Sequence, residues 1–379
     1  MLEDIKLHNF KSHSASHLKF DGSRLNALVG PNSAGKTSVL QATYFLSRLG
    51  NSQFDEVFAY ESSPDFFAAV GQNNLSVIGS GFWGRGQNRK NWEVSYTFQY
   101  NDKINKWEPE ASWKMGNNGN QHRGWFETLE NAPHPIPTAL KHSVHLKLVA
   151  TNLAQAAYSS KTTPRVEFDG SGLAPTLDYL RDEVPDNFEL LQEQLKRIVP
   201  GVKKVGLRRA TVTVNRSRLI EVDGRSISYE ESQKVTGQEV VLDMNTGQRI
   251  PAHCVSEGTI LALGLLTVLL HPKQPNLLLL DDVEQGLHPK AQRALISVFK
   301  EIIEENSTLQ IIFSTHSPYI VDELKPSQIH VLNNRESGFT HTKRLDEHPD
   351  IEWAKQTLTT GEFWDAEGED WVLDGEIDG

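Results

Sequence analysis

A single cysteine, Cys254, stands in 379 residues. One thiol closes no intramolecular disulfide and builds no Cys-based zinc site, so a reducing cytoplasm is the expected compartment. Long apolar runs are missing too. The longest, Thr259 to Leu270, holds about 12 residues, which suits a buried helix and is too short to cross a bilayer. The opening MLEDIKLHNF lacks the basic start and apolar run of a signal peptide, and no membrane partner is expected. Bases are in deficit, 38 Lys and Arg against 49 Asp and Glu, for a formal charge of −11. Taken whole, that argues against a protein that coats DNA by neutralising phosphates.

The deficit is local. From Leu345 to Gly379 there are 12 acids and one base, Lys355, so the first 344 residues are neutral overall. Acidic disordered tails carry few aromatics, yet Trp353, Phe363, Trp364 and Trp371 lie among these acids. The tail is therefore expected to dock, on its own body or on a partner. Conversely, Lys196 to Arg218 holds eight bases and no acid. A solvated face, a phosphate-contacting patch and a dock for the acidic tail are all open readings of that stretch.

The length suits two domains or one elaborated domain. Short alternating strands open the chain (2–7, 17–20, 25–29), and Gly30 precedes a helix over 36–49. Residues 51–150 read as β-rich, with strands at 92–100 and 142–149 and a turn at Gly116-Asn-Asn-Gly-Asn120. Helical spacing returns over 173–199, divided by Pro185, and 203–252 reads as a β-meander with turns at Asp223-Gly224 and Asn245-Thr-Gly247. The spacing then predicts helix, strand, helix, strand over 257–271, 277–281, 289–305 and 309–314, the pattern of a parallel sheet. No internal repeat and no sustained heptad is found, so no long coiled coil is expected.

The strongest motif is Gly30-Pro-Asn-Ser-Ala-Gly35-Lys36-Thr37, a full G-x-x-x-x-G-K-[ST] between an apolar strand and a helix. Its glycines let backbone N–H groups face a β-phosphate, and the helix N-terminus adds partial positive charge. Lys36 reaches β- and γ-oxygens, and the Thr37 hydroxyl suits Mg²⁺. Leu277-Leu-Leu-Leu-Asp281-Asp282 reads as a strand buried on both faces, with carboxylates where an open parallel sheet places ligands. Asp281 would hold the metal and Asp282 polarise the attacking water. Gln310-Ile-Ile-Phe-Ser-Thr-His316-Ser-Pro is a second such strand, and His316 is either a γ-phosphate contact or a structural histidine. Ser256-Glu-Gly258-Thr opens a helix, either as an ordinary N-cap or as a second anion site.

Asn9-Phe-Lys-Ser12, the phosphate loop, Ser256-Glu-Gly258, Asp281-Asp282 continuing as Glu284-Gln-Gly-Leu-His-Pro289, and Ser-Thr-His316-Ser-Pro follow in that order. Together they resemble ABC-class ATPase heads of the SMC/RecF/OLD branch, over roughly residues 1–50 and 253–335, about a third of the chain. The resemblance implies an α/β fold: a P-loop ABC-type head with a mostly parallel core sheet and an α+β inserted region. The head lobes would be 1–50 and 253–344, the insert 51–252 and the acidic tail 345–379. It implies ATP and Mg²⁺, with Gly30, Pro31, Asn32, Ser33, Ala34, Gly35, Lys36, Thr37 and Ser38 around the phosphates and Thr37 and Asp281 at the metal. It also implies that two copies pack head to tail, Ser256 and Gly258 of one closing over the γ-phosphate held by the other.

One residue departs from the family pattern, since Glu usually stands where Asp282 is. Asp is one methylene shorter, and a misplacement of about 1 Å can cost on the order of 10²-fold, so slow hydrolysis is expected, with Glu284 as substitute base. Gln72, Gln87 and Gln99 all remain candidates for the glutamine loop of such heads. Stand-alone ATPases of this size resemble the ATPase subunits of two-gene prokaryotic anti-phage systems such as Septu and PARIS. The resemblance implies an ATPase that oligomerises, senses a phage product and controls an effector nuclease or toxin. No room is expected for the Toprim nuclease of OLD-type proteins. The alternative is a RecF-like repair clamp gripping nucleic acid through Lys196–Arg218. A transporter ATPase is disfavoured, because its signature comes much sooner after the phosphate loop.

Overall fold

The computed structural model describes residues 1–48, 67–83, 89–115, 122–124, 140, 142–222, 225–334 and 338–373. The chain divides into two compact units, one of Met1–His145, Pro275–Glu284 and Phe299–Gly379, the other of Leu146–Gln274 and Gln285–Val298.

The first unit contains two sheets. One is antiparallel and comprises β1 (Leu2–Phe10), β2 (His13–Lys19), β4 (Asn74–Trp83), β5 (Lys90–Asn101), β6 (Lys106–Met115) and β7 (His122–Gly124), in the order β2-β1-β4-β5-β6-β7. The other comprises β3 (Leu25–Val29), β8 (Ser143–Leu146), β12 (Leu277–Leu280), β13 (Gln310–Ser314), β14 (Ile329–Asn334) and β15 (Thr340–Arg344), in the order β15-β14-β3-β13-β12-β8. β14, β3, β13 and β12 run parallel, and β15 is antiparallel to β14. Every residue of β3, β12 and β13 is buried, as parallel strands covered on both faces must be. Helix α1 (Lys36–Arg48) packs against strands of both sheets. Its Val39, Leu40, Phe45 and Leu46 share one core with the inward row Trp92, Val94, Tyr96 and Phe98 of β5.

The boundary expected at residue 50 does not divide the units. β4 pairs with β1, Lys6 opposite Ile78, and β5 and β6 continue that sheet. The β-rich stretch therefore completes the first sheet instead of forming an insert. Alternation marks β1 as a strand but carries no record of which distant strand pairs with it. The expected strand at 142–149 shortens to Ser143–Leu146, and the turns at 116–120 and 223–224 lie outside the described residues.

The second unit holds α2 (Ala150–Leu153), α3 (Leu173–Glu183), α4 (Pro185–Ile198) and α5 (Glu257–Leu269), with an antiparallel sheet β11-β10-β9. Its strands are β9 (Val202–Val222), β10 (Arg225–Met244) and β11 (Arg249–Pro251). Pro185 opens α4 at the first helical position, where its missing N–H costs nothing. All but the first residue of α5 are buried, which explains its all-round apolar sequence. Helix α6 (Pro289–Glu305) crosses the division at Val298.

The basic stretch does not make one face. Along β9 the side chains alternate from Lys204 onward, so Lys204 and Arg208 point to one side and Arg209 to the other, while Lys203 sits at a register shift. Cross-strand acids answer the first pair: Asp243 lies opposite Lys204, and Glu239 lies opposite Arg208 and pairs with it at 2.8 Å. The side chains of Arg216 and Arg218 lie outside the described residues.

The acidic tail docks on the first unit. α8 (Ile351–Thr357) and α9 (Thr360–Glu367) are followed by a 3-10 turn at Asp370–Leu373. Thr359 and Glu362 form a reciprocal capping box at the start of α9. Phe363, Trp364 and Val372 are buried, and His348 meets the rings of Phe363 and Trp371 edge-on at 4.9 and 4.8 Å. Trp353 alone of these tail aromatics stays largely exposed, at 58%.

Candidate nucleotide-binding site

The phosphate loop links β3 to α1, and its backbone takes the shape its glycines permit. Gly30 (φ 142°) leaves no space for a side chain, since a Cβ there would lie 2.0 Å from the Leu332 carbonyl oxygen. Gly35 (φ 92°) and Ser33 (φ 67°) also lie in the positive-φ region. Lys36 is 6% exposed, and its Nζ donates to the carbonyls of Gly30 (2.8 Å) and Pro31 (2.9 Å). Burial lowers its pKa from the usual lysine value against the opposing pull of Asp282, Asp281, Glu284 and Glu369.

The expected carboxylates converge on this loop. Thr37 Oγ1 donates to Asp281, 2.8 Å from Oδ2 and 3.1 Å from Oδ1. Ser314 Oγ donates to Asp281 Oδ1 at 2.6 Å and accepts from the Asp282 backbone N–H at 2.8 Å. The end of β13 thus locks the end of β12. Asp282 itself adopts φ 51°, unusual for a non-glycine residue. Glu284 Oε1 accepts from the His316 backbone N–H at 2.7 Å, while its Oε2 is buried with no hydrogen-bond partner among the described residues. The His316 side chain is exposed. Thr37 and Asp281 offer two hard oxygen donors side by side, a donor set that fits Mg²⁺.

Ser256 and Gly258 lie in the other compact unit. The Ser256 hydroxyl does not cap its helix, and pairs with Thr259 Oγ1 at 2.7 Å. A recess of about 410 Å³ opens there, lined among others by Ser256, Gly258, Arg197, His288 and Lys290. A Cβ on Gly258 would lie 2.2 Å from the Gly286 carbonyl oxygen, so only glycine fits. Of the glutamine candidates, Gln72 accepts from Asn9 Nδ2 at 3.4 Å, whereas Gln99 is exposed on β5 and Gln87 lies outside the described residues.

Several neighbours of the loop carried no motif. Asn334 Nδ2 donates to the Ser33 carbonyl at 3.4 Å, and the adjacent Asn333 holds Asp370 at 3.2 Å. The tail turn is thereby brought beside the phosphate loop. Burial raises the pKa of Glu369, as does Asp370, while Lys36 opposes the shift. His13 is wholly buried, its Nδ1 2.8 Å from Ser16 Oγ and its Nε2 3.1 Å from the Gly35 carbonyl. Nothing in the spacing of His13 marks that contact, which joins residues 22 apart.

Two buried histidines make stability fall in acid. Burial pushes His13 down to about 4, and burial together with nearby Arg344 pushes His330 to about 3. Unfolded histidines bind protons near 6.5, so between that pH and the folded values the unfolded chain binds more protons, and stability falls as pH falls. From pH 7 to 5 the pair should remove about 4 kcal/mol of unfolding free energy, read by denaturant titration at each pH. Equal stability at both would show that the imidazoles are not held neutral.

A phosphate loop at the carboxyl end of a parallel sheet, with Asp281 bonded to Thr37, is the arrangement of a P-loop nucleotide-binding domain. The profile of the family described as "AAA domain, putative AbiEii toxin, Type IV TA system" matches residues 25–322, and the chain belongs to that family. Solved SMC heads share the fold. One, bound to the C-winged helix domain of ScpA, is 15% identical, with 93% of this chain and 99% of that chain covered and a TM-score of 0.53. Another, with an extended coiled coil and bound to the C-terminal domain of ScpA derived from Pyrococcus furiosus, is 14% identical, with 94% and 99% covered and a TM-score of 0.54. The DNA double-strand break repair Rad50 ATPase of Methanopyrus kandleri is 50% identical over 42 residues, which span 11% of this chain and 5% of that protein. No helix among the described residues is long and apolar enough to cross a membrane.

Proposed function

We propose that this chain binds ATP with Mg²⁺ between two copies of itself, hydrolyses it slowly, and thereby controls a separate effector protein, a nuclease or toxin, in prokaryotic anti-phage defence. The observation that carries the ATPase reading is the Thr37–Asp281–Ser314 chain of hydrogen bonds beside buried Lys36. In this reading residues 30–38 wrap the phosphates, and Lys36 leaves the Gly30 and Pro31 carbonyls for β- and γ-oxygens. Thr37 and Asp281 would hold Mg²⁺, which supplies positive charge against the phosphate oxygens. Asp282 orients water with Glu284 behind it, and His316 faces the γ-phosphate. Ser256 and Gly258 serve the partner copy's nucleotide, and the basic lining of their recess suits an anion from outside the chain.

A two-gene setting is supported by the family description, which names a toxin of a TA system. Partner binding is supported by the related SMC heads, solved bound to parts of ScpA. Native mass measurement of the chain, alone and co-expressed with the neighbouring gene product, tests both. ATP is expected to yield a dimer or larger assembly, and the neighbour to co-purify. A monomer at saturating ATP sinks the sandwich. A neighbour that neither binds nor alters phage resistance sinks the effector role.

The repair clamp is the second reading, favoured by the short identity to Rad50. The division of the basic stretch between two faces of β9, one of them answered by Glu239 and Asp243, speaks against it. Duplex binding that falls steeply with salt and is abolished by reversing Lys203, Lys204, Arg208 and Arg209 would restore it.

A further inference from the structure

The side chains packed beneath Gly35 have no assigned role. β1 and β2 form a tight hairpin in which Phe10 pairs with His13 around Lys11-Ser12. Its tip lies under the phosphate loop. A Cβ on Gly35 would come within 2.6 Å of His13 Nε2, 2.7 Å of Thr340 Oγ1 and 3.0 Å of Ser12 Oγ. Those groups are themselves tied together: Thr340 Oγ1 donates to Ser12 Oγ at 2.7 Å, and the Thr340 N–H donates to the Ser12 carbonyl at 2.7 Å. His13, Ser16 and Thr340 are all buried. An apolar side chain would fill the place of His13 without desolvating two ring nitrogens. What the imidazole adds is a hydrogen-bond donor aimed at one carbonyl.

The chemistry of that carbonyl fixes the tautomer. A carbonyl oxygen only accepts, so Nε2 carries the proton, and Nδ1 accepts from the Ser16 hydroxyl. The Gly35 oxygen also accepts the Val39 N–H, the first bond of α1, at 3.1 Å. Both of its lone pairs are then engaged and the orientation of the Gly35–Lys36 peptide is set from two sides. In a planar trans peptide the N–H points away from the C=O. Pinning the Gly35 oxygen into the hairpin and helix therefore turns the Lys36 N–H outward, into the concavity of the loop.

We infer that His13 is a positioning residue for nucleotide binding: its Nε2–H, held in register by Ser16, clamps the Gly35 carbonyl so that the Lys36 backbone N–H is presented to a phosphate oxygen. The inference rests on reading residues 30–38 as the phosphate cradle. It adds a buried support behind the loop, contributed by the β1–β2 hairpin, to the groups that face the ligand.

Two substitutions separate the clamp from mere packing. His13→Gln can place an amide N–H near the Nε2 position, whereas His13→Asn reaches only the Nδ1 side. ATP affinity of the full-length chain, titrated below the melting temperature of every variant, should fall about tenfold for His13→Asn and stay within about threefold for His13→Gln. Wild-type binding by His13→Asn, or equal loss in both variants, overturns the inference. Lys36→Ala in the same titration keeps the two readings apart. If it binds ATP normally, the cradle itself is misassigned; if it fails while His13→Asn binds normally, only the clamp is lost. Should both His13 variants fail to fold, ring nitrogen NMR of the unaltered chain at pH 7.5 decides. A neutral ring with the proton on Nε2 is required, and a proton on Nδ1 excludes the clamp.

Discussion

Replacing Lys36 with alanine should lower ATP affinity by about 10²- to 10⁴-fold, because two charge-assisted hydrogen bonds to phosphate vanish together. The fold should survive. The ammonium already bears a desolvation penalty that pulls its pKa down, and its two partners are carbonyls of its own loop. Removing it leaves Gly30 and Pro31 short of a donor, yet a truncated side chain lets water reach them. The same truncation leaves Asp281, Asp282, Glu284 and Glu369 without their shared cation. A bound triphosphate would add its own negative charge to that group, so the loss should exceed that of two neutral bonds. Calorimetric titration with ATP and Mg²⁺, beside thermal melts, gives both quantities. Affinity within tenfold of the unaltered chain would remove residues 30–38 from the nucleotide site.

The parallel core was legible because burial on both faces leaves a simple mark. Leu277 to Leu280 and Gln310 to Ser314 form the strands their apolar runs predict, and α6 spans residues 289–305 as its spacing requires. Alternation also marked the half-exposed β1 and β5, whereas β6 and β15 were not read as strands. β6 contains Pro109, which ordinarily argues against a strand; β5 nevertheless pairs with it through that position, Phe98 opposite Pro109. β15, Thr340 to Arg344, is largely polar and exists because β14 offers it an edge. The tail's aromatics did predict docking, and the place became visible only in three dimensions. Gly361 meets α7 (Pro318–Val321), with its N–H bonded to Asp322, and Lys343 reaches the Trp371 carbonyl. At the candidate site the motif residues Lys36, Thr37 and Asp281 were readable from spacing. Ser314 and His13 were not, since each acts through a neighbour's backbone or carboxylate that no local pattern reveals.

Exchanging the two carboxylates that follow Asp281 should have unequal effects on hydrolysis. Asp282→Asn is expected to lower kcat by about 10²- to 10⁴-fold with ATP affinity kept within a few fold, the pattern of a lost general base. Asp282 directly follows Asp281 past the carboxyl end of β12 and opposes, with Asp281 and Glu284, the lowering of the Lys36 pKa by burial. Its backbone, at φ 51° and bonded to Ser314, fixes the side chain's direction. Glu284 has the longer reach but is already committed through Oε1 to the His316 N–H. Gln at 284 keeps an oxygen for that N–H and exchanges only Oε2, which has no partner among the described residues, for an amide nitrogen. It should therefore cost about tenfold in kcat at most. Under the proposed reading the unaltered chain is itself slow, because Asp282 is one methylene shorter than the glutamate expected there. Lengthening it, Asp282→Glu, should then raise turnover. Single-turnover rates for the three variants discriminate cleanly. If Glu284→Gln proves the inactive one and Asp282→Asn turns over normally, the base is Glu284, with Asp282 reduced to a charge beside Lys36.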